Sequence, residues 1–486
     1  METRSLLDRI AEQATTRPDA VALVSGSRQV DYAELDAMAD AALARIDALD
    51  LAEGAPVAVH AAKSPETVAL ILACLRGRRP VLVAAADLGE RTYAELVART
   101  GCAAVLTADP AGPVVRRTDG APAAKPDLAE ETALLLTTSG STGTPKIVPL
   151  THGAIARFAR WAADQFDLGP DTDVLNYAPL NFDLALLDVW STLAAGGTVV
   201  LVGTDRATDG RHLAEVVRRS AVVQAVPMLF RLLADAWDGT AFTAVRHVIL
   251  TGDRTPAPLL ARLPAMFPNA RLHNIYGCTE TNDSFRHELT TAAGDGEMPI
   301  GFPLPGVDAL VLDADGAILT GECTGELVVH TPFQTTGYLA SNGAEFVRLG
   351  TDERPYFRSG DLVRRDRDGL HTLVGRTDFR VKVRGTRVNL EEVEQVLLDH
   401  AQVREAAVIG VPDEVAGIRL HAVVRGGDSE TGALNSLALR EHCRLRLPRA
   451  AIPTSIQVVG IALPTTSTGK VDRRAIGARL LNRSQS

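Results

Sequence analysis

Apolar positions along the chain follow two spacings. Short unbroken runs at Val57–Val59, Pro80–Val83, Ala103–Leu106, Val199–Val202 and Val248–Leu250 predict buried strands. The stretches Tyr32–Leu49, Glu66–Leu75 and His152–Gln165 carry apolar residues at helical spacing instead. Interspersed in this way, the two patterns predict an α/β fold, a large N-terminal lobe of mostly parallel sheets flanked by helices. From Gly306 to Leu339 short strands separated by Asp/Gly turns, as in DADGAIL, predict a β-rich subdomain. A second change follows Gly375, where the strand-like VKVRG leads into the helix-like LEEVEQVLLDH. A boundary at Asp378 divides a large core, 1–377, from a small α+β C-terminal domain, 378–486.

Composition sharpens this picture in a few places. A chain of 486 residues exceeds the size at which one core keeps growing, and its 46% apolar content supports several. Cys74, Cys102, Cys278, Cys323 and Cys443 are odd in number and lack CxxC spacing, which argues against a disulfide framework or a zinc site and fits a reducing cytoplasm. The N-terminal METRSLLDRIAEQA has helical spacing rather than the apolar centre of a signal peptide, and no run approaches membrane-spanning length. The net charge of −10 is uneven: residues 379–486 carry 16 Lys/Arg against 11 Asp/Glu, a net +5, which leaves −15 for the rest. A basic end on an acidic protein suits an acidic partner. Nucleic acid is disfavoured by that overall charge and by an aromatic content of 4%.

The segment Leu134–Leu150, LLLTTSGSTGTPKIVPL, has the make-up of a loop that holds a polyphosphate. Gly140 and Gly143 permit tight turns that bring N–H groups to an anion. Thr137, Thr138, Ser139, Ser141 and Thr142 add hydroxyl donors, and Lys146 places a charge at the exit. The GxxxxGK[ST] spacing of a P-loop is absent, so an ordinary nucleotide triphosphatase is disfavoured. A Ser/Thr/Gly linker is the plainer alternative, against which the apolar run and the Pro-Lys ending weigh.

Four further segments follow in order: NIYGCTET (274–281), YFRSGDLVRRDRDG (356–369), GRTDFRVKVRG (375–385) and LPTTSTGKVDRRAI (463–476). Together with the Ser/Thr/Gly loop they resemble the core motifs of the adenylate-forming superfamily of acyl- and aryl-CoA synthetases, luciferases and the amino-acid adenylation domains of nonribosomal peptide synthesis. The resemblance spans nearly the whole chain. It implies a carboxylate attacking the α-phosphorus of ATP to give acyl-AMP and pyrophosphate, followed by transfer of the acyl group to a thiol. Carried over residue by residue, it gives Tyr276 as the adenine contact, Thr279 as a donor to the α-phosphate and Glu280 as the Mg²⁺ ligand, a role suited to a hard carboxylate oxygen. Asn274, Asp361 and Arg376 complete the nucleotide set, the last two at the ribose. Lys470 becomes the catalytic lysine, an ammonium aimed at charge that develops in the transition state. Because Lys470 sits in the small domain, that domain is expected to move about a hinge at Asp378 before the thiol arrives. Two positions depart from the family pattern: Ile147 stands where glycine usually follows the loop lysine, and Arg380 stands where GRxD is often followed by glutamine.

The same resemblance places Asp183, in NFDLALLDVW, against the ammonium of an amino-acid substrate, a residue that CoA synthetases generally lack. A helix N-cap is its ordinary alternative. The other pocket positions are Leu184, Leu187, Gln224, Ile249, Thr251, Ile275, Asp283 and Ser284. Their bulk favours a small side chain such as that of alanine, glycine or serine. Asp283, facing inward, would suit a hydroxyl or second amino group and so a short diamino acid; a β-amino acid also fits. An apolar pocket separates one methylene by only about 1–3 kcal/mol, so overlapping use of small amino acids is expected.

Only a short arginine-rich stretch follows Lys470, so the acceptor is expected to be the phosphopantetheine thiol of a separate, acidic acyl or peptidyl carrier protein. Arg440, Arg444, Arg446, Arg449, Arg473 and Arg474 are candidates for steering it. Ser429, in RGGDSETG, imitates a phosphopantetheine attachment sequence but reads as a turn residue. The expected activity is therefore that of an amino acid–carrier protein ligase using ATP and Mg²⁺. An acid-CoA ligase and a non-catalytic ATP-binding regulator are the competing readings, since fold does not fix function.

Overall fold

The computed structural model describes residues 5–109, 112, 114–118, 128–138, 145–255, 257–289, 298–339, 345–350, 353–376, 380–400, 402–413, 417–426, 434–464, 473, 476 and 477, with the side chains of 380, 387 and 391 excepted. The chain divides into two compact units: Met1–Asp87, Val97–Thr137 and Ile147–Thr377 form one, and Leu88–Leu96, Thr138–Lys146 and Asp378–Ser486 the other.

The first unit is mixed α/β. Its largest sheet contains a parallel run ordered Val21–Ser25, Thr198–Leu201, Asp173–Asn176, Val222–Ala225, His247–Thr251 and Arg271–Cys278. These strands are largely buried on both faces, as strands covered from two sides must be. Val57–His60, Val81–Ala84 and Ala104–Thr107 lie in a second sheet, where they pair in parallel. The helix Pro65–Arg76 is buried from Thr67 to Leu75 and starts where Ser64 accepts from the Thr67 N–H with proline at the first turn.

The parallel arrangement ends sooner than the sequence pattern implies. Arg271–Cys278 turns directly back into the antiparallel strand Asn282–Leu289, and antiparallel pairing then runs on through Pro299–Pro303, His371–Arg376, Tyr356–Arg365, Cys323–His330 and Asp308–Leu312. The β-rich region is thus continuous with the large sheet rather than confined to 306–339. A polar hairpin with no run of Asp/Gly turns hides this reversal from the apolar pattern. Asn282 takes a left-handed φ of 54°, which asparagine tolerates better than most residues. Gly277 is required for the close approach, because a Cβ there would press into the Asn282 carbonyl.

The second unit contains the antiparallel pair Val403–Asp413 and Gly417–Gly426, extended in parallel by Ser455–Val459. The helices Leu390–Leu398 and Ser436–Arg444 accompany it, with Val393, Leu397, Val408, Leu420, Leu439 and Cys443 in the core. This is an α+β unit smaller than the first.

Candidate active site

In open α/β sheets ligands bind beyond the carboxyl ends of the strands. Here those ends are Asn176, Ala225, Thr251 and Cys278, held in line by parallel pairing of Asn176 with Gln224, Gln224 with Ile249, and Thr251 with Ile275. The turn after Cys278 carries Thr279 and Glu280 to that edge.

On the antiparallel side a polar group is already assembled. Asp361 and Arg376 are cross-strand partners, and the Arg376 guanidinium donates to the Asp361 carboxylate and, at 3.0 Å, to the Ser359 carbonyl. The Tyr276 hydroxyl donates to the other Asp361 oxygen. Tyr276 and Asp361 are both buried, and the tyrosine ring stands edge-on to Phe285. The sequence motifs 85 residues apart therefore meet through one carboxylate. Glu280 is only 2% exposed and accepts a 2.5 Å hydrogen bond from the Tyr338 hydroxyl on Oε1. Burial, then the neighbouring Glu280, pushes the Tyr338 phenol up, so it stays a donor. A buried carboxylate oriented by a neutral donor suits Mg²⁺, which prefers hard oxygen ligands. An acceptor-only carboxylate at Asp361 likewise suits the hydroxyls of a ribose.

On the parallel side acidic groups crowd together. Asp183 and Asp283 are half-buried. Burial, followed by the charge of Asp183, raises Asp283 to about 8. Asp188 is fully buried and held well above the usual carboxylate range, chiefly by burial. Leu184 is half-buried and Leu187 buried in the turn that follows Asp183, where the N–H groups of Leu186 and Leu187 donate to the carbonyls of Asp183 and Leu184 at 2.8 and 3.2 Å. The next six residues, Leu186–Ser191, form a π-helix, a rare form that recurs at functional sites.

Several residues named from the sequence are turned to other uses. The Gln224 amide donates to the Leu184 carbonyl at 3.1 Å and to Asp188 at 2.9 Å. Asn274 donates to the Pro299 carbonyl at 2.7 Å. The Ser284 hydroxyl is fully buried against Thr281 at 3.1 Å. Ile249, Thr251 and Ile275 are buried on the paired central strands. Thr138 and Lys146 are half-buried, the first ending the strand Thr132–Thr138 and the second opening Lys146–Thr151. Ser139, Gly140, Ser141, Thr142, Gly143, Asp378, Ser429, Lys470 and Arg474 lie outside the described residues. Among the candidate steering arginines, Arg444 is paired to Glu441 and Arg473 to Glu394, while Arg440 donates to the Pro453 carbonyl at 3.3 Å and to that of Thr454.

Sequence reading missed Tyr338, Lys63, Asn176 and Asp188. Asp188 had a signal, an aspartate between Leu187 and Val189 in an otherwise apolar run; Tyr338, 58 residues from its partner, had none.

Residues 10–339 match the AMP-binding enzyme family and residues 392–470 match the AMP-binding enzyme C-terminal domain. The chain belongs to this family, the adenylate-forming ligases, which use ATP and Mg²⁺. It is 32% identical to an L-proline–[L-prolyl-carrier protein] ligase of Pseudomonas fluorescens over 98% of this chain and 99% of that protein. It is 27% identical to a D-alanine–D-alanyl carrier protein ligase of Lactiplantibacillus plantarum, over 97% and 98% respectively. Among solved structures, holo-PA1221, a nonribosomal peptide synthetase protein containing adenylation and carrier domains, superposes with a TM-score of 0.82 at 27% identity, covering 98% of this chain and 84% of that one. No helix among the described residues is long and apolar enough to cross a membrane.

Proposed function

We propose that this ligase activates a small amino acid as its aminoacyl-AMP and passes it to the phosphopantetheine thiol of a carrier protein on another chain. The observation that carries the reading is the coupling of Asp183 to Asp283 beside the turn Leu184–Leu187. Two carboxylates sharing a poorly solvated place are unfavourable alone, and an ammonium between them relieves the repulsion. A simple fatty or aryl acid brings no such charge. Carrier-protein ligases for proline and D-alanine among the relatives support both the substrate class and the acceptor.

In this reading Tyr276, Asp361 and Arg376 hold the nucleoside, with the loop 138–143 and Lys146 at the phosphates. Glu280, oriented by Tyr338, holds Mg²⁺, which neutralises phosphate charge when bound. Thr279 donates to the α-phosphate, and Lys470 stabilises the charge that develops as the carboxylate attacks. Amino-acid-dependent exchange of pyrophosphate into ATP tests catalysis and substrate together, with alanine, glycine, serine, proline, 2,3-diaminopropionate and β-alanine as the panel. Exchange with at least one of these, abolished in Lys470→Ala and lost for that amino acid in Asp183→Ala, is the expected result. Activity confined to acids without an amino group would overturn it.

A further inference from the structure

Around Asp188 lies a set of charged and polar side chains, of which Lys63, Asn176 and Asp188 serve neither the nucleotide nor the substrate reading and Gln224 is turned away from the pocket role expected of it. Lys63, on the loop that follows the strand Val57–His60, donates to the carbonyls of Asn176 at 3.1 Å and Tyr177 at 2.8 Å. These are the last residue of the strand Asp173–Asn176 and the first one beyond it. The Asn176 side chain, fully buried, donates in turn to the Ala178 carbonyl and to Asp188 Oδ2, both at 3.2 Å. Gln224 donates to Asp188 Oδ1 at 2.9 Å and, from the same nitrogen, to the Leu184 carbonyl at 3.1 Å. The network thus grips the segment 176–188 at its start, at Leu184 and at its end, and Asp183 and Leu187 lie between those grips.

Such an arrangement is expensive for mere packing. Buried ionisable groups such as Asp188 rarely stabilise a fold more than apolar residues of equal volume would, so retention of this one calls for another role. Buried polar networks rigidify what they touch, and here Lys63, Asn176 and Gln224 all donate while Asn176 Oδ1 is left without a hydrogen-bond partner among the described residues. The charges also see each other: burial lowers Lys63 to about 7 while Asp188 opposes that shift, and Asp283 adds to the rise at Asp188. Lys63 therefore sets a cation against Asp188 in a corner that also holds Asp183 and Asp283.

We propose that Lys63 and Asp188 are paired positioning residues that fix the segment 177–187 from below and so set Asp183 and Leu187 for the amino end of the substrate. The link to substrate rests on the amino-acid reading above; the clamp itself does not. Two measurements on the full chain separate them, each made on Lys63→Met, Asp188→Asn and the double variant. Hydrogen–deuterium exchange without substrate should show peptides covering 177–187 losing protection at least about tenfold in every variant, with peptides over 276–280 unchanged. Pyrophosphate exchange with the amino acid from the panel that the unaltered chain uses best should show its KM rising about tenfold or more, with the KM for ATP within about twofold. The double variant should be no worse than the poorer single one, as expected of residues that act as a unit. Asp188→Asn, nearly isosteric, carries the test if Lys63→Met fails to fold. Unchanged protection over 177–187, equal rises in both KM values, or independent multiplying losses would overturn the proposal. Absence of exchange with any amino acid would instead remove the amino-acid reading, and the protection measurement would still decide the clamp.

Discussion

The two sides of the candidate site solve opposite electrostatic problems. On the antiparallel side each charge is met within the first unit: Arg376 and Tyr276 satisfy Asp361, and Tyr338 meets Glu280. On the parallel side burial and then Asp183 raise Asp283, and burial with a smaller contribution from Asp283 raises Asp188, while Lys63 spends its hydrogen bonds on backbone carbonyls. One side is built in advance for a ligand common to the whole family. On the amino-acid reading proposed above, the other gathers carboxylates for the ammonium of the substrate. Preorganised donors and acceptors lose little on binding, and on that same reading the acidic cluster turns the substrate's charge into selectivity.

The largest effect expected from breaking this contrast is at Asp361. Asp361→Ala leaves a part-buried guanidinium without its carboxylate, and removing one partner of such a pair costs about 3–5 kcal/mol, or about 10²–10⁴-fold. The loss should fall on kcat/KM for ATP and spare the KM for the amino acid. Isothermal titration with ATP and exchange kinetics at saturating amino acid measure it; an equal loss for both substrates would show that the two sides are not separable.

Tyr338→Phe is expected to act next in size. It removes a hydrogen bond to an ionised carboxylate, worth about 1.5–3 kcal/mol, without changing the ring. Glu280 would keep its position in the hairpin but lose its fixed orientation. The Mg²⁺ concentration for half-maximal exchange should rise about tenfold, with the amino-acid preference unchanged. A shift in preference without a change in Mg²⁺ dependence would place Tyr338 on the acidic side instead.

How much of this could be read from sequence follows the same division. Tyr276, Glu280, Asp361 and Arg376 sit in compact motifs because each is set by local geometry: a hairpin tip, or a cross-strand pair between adjacent strands. Helices were readable from apolar spacing, Glu66–Leu75 falling within Pro65–Arg76 and His152–Gln165 matching its helix, and capping by Ser64 and Thr151 accounts for where they start. Lys63 and Asn176 lie 113 residues apart, the first on a loop after a strand of the second sheet and the second in the large sheet, so no spacing links them. Nor does residue type reveal where a side chain points. Asn274 and Gln224 have the chemistry of ligand contacts, yet a neighbouring carbonyl or carboxylate takes their amides. The early reversal at Asn282 escaped for want of a hydrophobic signal, because the turn is defined by a left-handed asparagine and a glycine that must admit a carbonyl.

The smallest effect sharpens the comparison most, because it titrates the acidic side without altering its shape. Asp283 stands at about 8, raised first by burial and then by Asp183, so without substrate it is largely protonated at pH 7. A substrate ammonium favours the ionised form, and binding should therefore strengthen as pH rises toward that value. For a site that must lose one proton, KM falls about fivefold between pH 7 and 8 and flattens above 9, until the substrate's own amino group begins to lose its charge. Lys63, at about 7, loses charge over part of this range and removes some of the compensation at Asp188, which works against the trend. Asp283→Asn separates the contributions: the fall in its KM between pH 7 and 8 should disappear, leaving only the opposing trend from Lys63, while the KM for ATP follows the unaltered chain throughout. If the variant retained the full dependence, the titrating group would be elsewhere, and the acidic pair could not be what receives the substrate's charge.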